Sequence, residues 1–118
     1  PQAECASAIL DCQGRITAWY EGAERMYGYT YREAVGQHIS FIYFQEGTQS
    51  GKYKEQVERA ETDSAFGQEG WHVRKHGARL WANTITTSLR SNGELPGFAR
   101  VTRDFSDQRK RDVELYVE

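Results

Sequence analysis

From residue 65 onward apolar residues tend to recur at every second position, and two short turn signals divide the run. A period of two is the mark of strands with one packed face and one turned away. Residues 65–74, 79–89 and 97–104 read as three strands, joined through Lys75-His76-Gly77 and Arg90-Ser91-Asn92-Gly93. An Asn-Gly pair between alternating runs favours a tight type I′ hairpin, because both residues tolerate positive φ. The last two strands must therefore be antiparallel neighbours.

A second hairpin stands near the other end. Ser7-Ala8-Ile9-Leu10 is a short apolar run, Asp11-Cys12-Gln13-Gly14 is a turn with Gly14 at positive φ, and residues 15–20 are rich in β-formers. Helical signals lie between the hairpins. Residues 22–27 make one or two turns stopped by Gly28. Thr30-Tyr31-Arg32-Glu33 matches a capping box, with Tyr29 and Ala34 at the positions of a hydrophobic staple and Gly36 at the end. These glycines punctuate helices; their spacing is not that of a phosphate-cradling Gly-x-Gly-x-x-Gly loop. Residues 38–44 read as a short helical turn, and 51–62 as an amphipathic helix burying Tyr53, Val57 and Ala60. Residues 107–118 form a charged helix with a thin stripe of Val113, Tyr116 and Val117. The expected fold class is α+β: one five-stranded antiparallel sheet, short helices covering one face, and a C-terminal exit helix.

The 118 residues suit one domain, and a net charge of −2 leaves no field to attract nucleic acid or an anionic membrane. No apolar run is long enough to span a bilayer, and the two cysteines read as unpaired suit a reducing cytoplasm. The chain begins without Met and stops inside a helical pattern, so it reads as a piece of a longer protein. Cys5 and Cys12 read as free thiols, and without a Cys-x-x-Cys pair no zinc site is expected. His72 and His76 fall on a strand and a turn and do not make a metal pair. No nucleophile stands with a base and no Gly-x-Ser-x-Gly elbow occurs, so the domain is not expected to be an enzyme.

Four blocks in order resemble a PAS domain with its C-terminal PAC portion, over nearly the full chain. They are Asp11-x-x-Gly14-Arg15-Ile16-x-x-Trp19, Gly22-Ala23-Glu24-Arg25-Met26-x-Gly28-Tyr29-x-x-x-Glu33-x-x-Gly36, Gly70-Trp71-x-x-Arg74-Lys75-x-Gly77-x-x-x-Trp81-Ala82-Asn83, and Gly97-Phe98-x-x-Val101-Thr102-Arg103-Asp104. Asp104-Phe105-Ser106 resembles the family's Asp-Ile-Thr exit motif. The resemblance implies a PAS/PAC domain over 1–106 and the start of a linker helix over 107–118. It implies a sensory module of bacterial signalling proteins such as sensor histidine kinases or diguanylate cyclases. Such a module perceives a small molecule, a redox signal or a partner and relays it to an output domain in the same chain, often as a homodimer. The alternative is a ligand-free dimerisation module.

The cofactor-binding branches of the family can be tested by position. LOV domains carry their adduct-forming cysteine three residues after the glycine matching Gly36; here that residue is Ile39, so LOV-type FMN photochemistry is not expected. Their flavin-gripping polar positions correspond to Ala82 and Thr102. Residues 51–62 contain no histidine for an axial haem ligand. No cofactor is expected, although Trp71, Trp81 and Asn83 are compatible with non-covalent FAD. The same comparison turns Leu80, Ala82 and Thr84 toward the pocket, with Ile39, Phe41, Tyr53, Val57 and Thr102. Trp81, Ile85 and Leu89 then share the opposite face with Ala99 and Val101, as a dimer or helix interface, unless a bulge swaps the faces. Arg103 and Asp104 stand at the hinge of the signal relay.

Overall fold

The computed structural model describes residues 4–43, 58–60 and 63–115. The chain opens with β1 (Cys5–Asp11) and β2 (Ile16–Trp19), followed by α1 (Glu21–Tyr27), α2 (Tyr31–Ala34) and a single 3₁₀ turn over Ile39–Ile42. Then come β3 (Ala65–Val73), β4 (Arg79–Ser91), β5 (Glu94–Asp104) and the exit helix, here α3 (Ser106–Leu115). All five strands join one antiparallel sheet in the order β2-β1-β5-β4-β3. The two hairpins meet where β1 pairs with β5, so the first and last strands are neighbours at the centre. This is the α+β architecture expected.

Local chemistry explains the turns. In the first hairpin Asp11 Oδ1 accepts from the N–H groups of Gln13 and Arg15, both at 2.9 Å, which folds the chain back. Between β4 and β5 only Asn92 and Gly93 remain, at φ 54° and 81°, the pair of left-handed conformations a type I′ turn requires. The sequence pattern begins β5 after Pro96, at Gly97, yet the strand starts at Glu94. The ladder shifts between Leu89↔Gly97 and Ser91↔Glu94, so Arg90 alone faces Leu95 and Pro96. That bulge absorbs the N–H that proline lacks.

The middle helices are held by their ends. Gly28 caps α1 in the left-handed region at φ 83°, its N–H donating to the Glu24 carbonyl. The capping box of α2 is complete: Thr30 Oγ1 accepts from the Glu33 N–H at 3.2 Å, and Glu33 Oε1 accepts from the Thr30 N–H at 2.9 Å. Ala34 is fully buried and Tyr29 packs against the core edge, its ring 4.8 Å from Phe41. The helix expected over 51–62 lies mostly outside the described residues; 58–60 are helical and Ala60 is buried.

Alternation decides the core. Ala6, Ala8 and Leu10 of β1, Phe98 of β5, and Leu80 and Ala82 of β4 all point to one face. The helices cover that face with Ala23, Met26 and Tyr27 of α1, Ala34 of α2, and Ile39, Ile42 and Tyr43. Each large apolar side chain buried here contributes about 1.5–3 kcal/mol, and these contacts dominate the stability. β1 and β5 approach so closely that a Cβ on Gly97 would stand 1.9 Å from the Leu10 carbonyl oxygen. Gly97→Ala should therefore cost about 1–3 kcal/mol or prevent folding, since neither backbone can retreat without breaking the ladder; urea unfolding of the variant measures it.

Candidate functional site

The inner face of the sheet carries polar groups among its apolar ones. Thr84 and Thr102 are buried cross-strand partners, and their hydroxyls bond each other at 2.8 Å. His72 of β3 is buried, with Nδ1 2.7 Å from the Tyr27 hydroxyl of α1. Tyr43 meets the same imidazole edge-on, ring centroids 4.9 Å apart. Burial pushes the Tyr27 phenol well above its ordinary pKa, so it stays protonated. Arg100 of β5 is also buried, 5.6 Å from the Tyr43 ring centroid. Its cross-strand neighbour Thr86 holds a buried hydroxyl with no hydrogen-bond partner among the described atoms.

Of the residues assigned to the pocket, Ile39, Leu80, Ala82, Thr84 and Thr102 are brought together here, all buried, with Phe41 partly buried at the edge. Tyr53 and Val57 lie outside the described residues. His72, Tyr27, Tyr43 and Arg100 were not assigned to it. Parity would have found two of them: His72 pairs with Leu80, and Arg100 lies between Phe98 and Thr102 at the same spacing.

At the end of β5 the chain turns into α3 through a compact junction. Asp104 Oδ2 accepts from Arg74 Nη2 at 3.0 Å, and Oδ1 accepts from the Ser106 N–H at 2.9 Å. Arg74 also donates to the carbonyl of Met26 near the end of α1. The N–H of Phe105 donates to the Trp81 carbonyl at 2.7 Å, and the Trp81 N–H donates back to Ser106 Oγ at 3.0 Å. An open cleft of about 310 Å³ lies beside this junction, lined by Glu4, Arg25, Met26, Arg74, Asp104, Ser106 and Asp107. Arg103, the other residue assigned to the hinge, is exposed.

The opposite face of the sheet carries Trp71, Trp81, Glu69 and Asn83 at one end. The indoles meet edge to face, centroids 5.0 Å apart. Glu69 accepts from Trp81 Nε1 at 3.2 Å and from Asn83 Nδ2 at 3.4 Å. Further along, Ile85 and Val101 are cross-strand partners with 50% and 40% of their surface exposed. Ala99 and Leu89 beside them are partly buried. The three residues compatible with flavin, Trp71, Trp81 and Asn83, thus all lie on this outer face. Among the described residues no cluster of His, Cys, Asp and Glu could hold a metal ion, and no helix is long and apolar enough to cross a membrane.

Burial alone would push the Asp104 carboxyl up, but hydrogen bonds from Ser106 and the charge of Arg74 outweigh it and hold the group below its ordinary value. A carboxyl with a depressed folded-state pKa stabilises the fold above the ordinary carboxylate range, and that contribution is lost as pH falls through the folded value. Asp104→Asn should cost about 1 kcal/mol at neutral pH. The urea midpoints of wild type and variant should converge below about pH 4. A gap that persists undiminished into acid would show that the charge is not its source.

A PAS domain family model matches residues 4–107. The chain is similar to two-component system protein A of Emericella nidulans, 32% identical over 105 residues, covering 89% of this chain and 15% of that protein. In structure it resembles the PAS domain of a protein from Colwellia psychrerythraea, with a TM-score of 0.82, 24% identity and 87% of each chain covered. It also resembles an RNA-binding light-oxygen-voltage receptor, with a TM-score of 0.82 and 18% identity over 98% of this chain and 33% of that one. The PAS domain of an HTR-like protein from Haloarcula marismortui matches with a TM-score of 0.71 and 19% identity over 85% of this chain and 80% of that one. Five antiparallel strands with helices on one face, an Asp104-centred exit into α3, and these likenesses agree: the chain belongs to the PAS domain family.

Proposed function

We propose that this domain is the sensory input module of a longer cytoplasmic signalling protein. It registers a small molecule, a redox change or a partner at the inner face and passes that state through α3 to an output domain in the same chain. The junction at Asp104 carries the reading. One carboxylate is bonded both to Arg74, which reaches the end of α1, and to the first residue of α3. A shift of β5 against β3 must change this carboxylate's contacts, and with them the direction of α3. The likeness to a two-component system protein of which this chain spans 15% supports an output domain elsewhere in the chain.

In this reading the domain is not itself an enzyme: the Thr84 and Thr102 hydroxyls bond each other, His72 bonds Tyr27, and the Tyr27 phenol is held neutral. Neither LOV-type flavin chemistry, given Ile39, nor haem belongs to this reading. FAD has no support from Trp71, Trp81 and Asn83, which face away from α1 and α2 on the outer side of the sheet. In the longer protein, Asp104→Ala should abolish the response of the output to its signal while the domain keeps its far-ultraviolet circular dichroism. An output that still responds as in wild type would remove the relay role from Asp104.

The exposed pair Ile85 and Val101 favours a second use of the domain, a homodimer formed sheet to sheet. The apolar stripe continues onto Ile9 and Ala99, which pair with each other across β1 and β5. Sedimentation of the domain should then show a dimer that Ile85→Asp converts to monomer. A wild-type domain still monomeric at about millimolar concentration would rule this use out.

A further inference from the structure

We infer that Arg109 is the positioning residue of α3: its guanidinium, laid over both Trp71 and Trp81, holds the outgoing helix on the outer face of the sheet. The consequence for signalling rests on the reading of α3 as the relay; the contact itself does not. No α3 residue is buried, and its apolar residues Val113 and Leu115 are 45% and 76% exposed. A helix held by packing shows an apolar stripe toward its support, and the described part of α3 has none; Tyr116 and Val117 of the expected stripe lie outside the described residues.

Arg109 stands three residues after Ser106, so both lie on the helix face turned to β4. Its guanidinium carbon is 4.6 Å from the Trp81 ring centroid and 5.0 Å from that of Trp71. The two indoles meet at 77°, so they present a corner rather than one flat face. A planar guanidinium can lie against both walls of such a corner, where a compact ammonium could not. Glu69 fixes the corner by accepting from Trp81 Nε1, and it sets a carboxylate beside the site. Arg79 also lies over Trp71, 4.7 Å from its centroid, so that acidic group offsets two nearby cations. Trp81 thus holds α3 through its carbonyl, its N–H and its ring. The first two contacts fix where the helix begins; the third fixes where it points.

Amide exchange of the 118-residue domain, read by mass spectrometry over 106–115, tests this directly. Arg109→Gln should speed exchange there about three- to thirtyfold, the range for a cation–π contact between exposed and desolvated limits. Lys110→Gln, an exposed charge one position on, should change little. Arg109→Lys should fall between wild type and Arg109→Gln. In a Trp81→Leu background, or Trp71→Leu if the first does not fold, Arg109→Gln should add less than it does alone. Unchanged exchange in Arg109→Gln, or an acceleration no larger than that of Lys110→Gln, overturns the assignment. Output of the longer protein is read separately. A variant that loosens α3 without altering output upholds the contact and counts against the relay reading instead.

Discussion

The guanidinium of Arg74 leaves the end of the β3 region and meets two acceptors from other parts of the chain, the Met26 carbonyl near the end of α1 and the Asp104 carboxylate at the end of β5. Both charged side chains keep about a third of their surface exposed, at 33% each. Their attraction is therefore worth about 1 kcal/mol, small beside the buried apolar core. The importance of the contact is geometric. A guanidinium presents its donors in a fixed plane, so the helix end and the strand end cannot move independently without one bond being lost. The first residue of α3 then hangs from the other oxygen of the same carboxylate. Helix, sheet and exit share one small polar knot.

The inner face is close enough to that knot to act on it. Thr84 and Thr102 face each other across β4 and β5, and Ala82 and Asp104 face each other two residues further along the same ladder. Two residues of strand is about 7 Å. A ligand hydroxyl or carbonyl that competed for the Thr84–Thr102 bond would pry at the ladder one pleat away from Asp104. Tyr27 and His72 tie α1 to β3 in the same layer. A change at either pair reaches Arg74 through an element that Arg74 already holds. The packed interior cannot deform smoothly, so such changes pass on as shifts of whole elements.

What the sequence made legible was local. Thr30 with Glu33, Gly28, Asp11 and the Asn92-Gly93 pair each determine their own few residues, and each took the conformation its chemistry requires. Alternation along β4 separated Leu80, Ala82, Thr84 and Thr86 from Trp81 and Ile85 for the same reason. The illegible parts depend on register between segments far apart in the chain. His72 meets Tyr27 only because β3 pairs with β4 in one register while α1 lies across the sheet, 45 residues away in sequence. Arg74 meeting Met26 and Asp104 needs three elements placed at once. The extension of β5 through Pro96 was hidden because the bulge that admits the proline into β5 depends on the register with β4 and has no sequence mark of its own.

The support of α3 is uneven, and that unevenness matters for a relay. Its first residue is bonded on two sides, to Asp104 and to Trp81, whereas residues 110–115 stand in water. A ten-residue helix without an apolar stripe is marginal by itself, since isolated helices of this length barely form. Among the described residues its order is borrowed from the sheet at one end. A helix anchored rigidly at its origin and weakly along its length turns a small rotation at Asp104 into a large displacement at Leu115. At 1.5 Å of rise per residue, the lever is about 14 Å long. Uniform burial would have locked the helix to the sheet, and no support at all would have let the rotation dissipate in a flexible tail. On the relay reading proposed above, the arrangement between these extremes would transmit angle and would place the sensitivity of the domain at its exit rather than in its core.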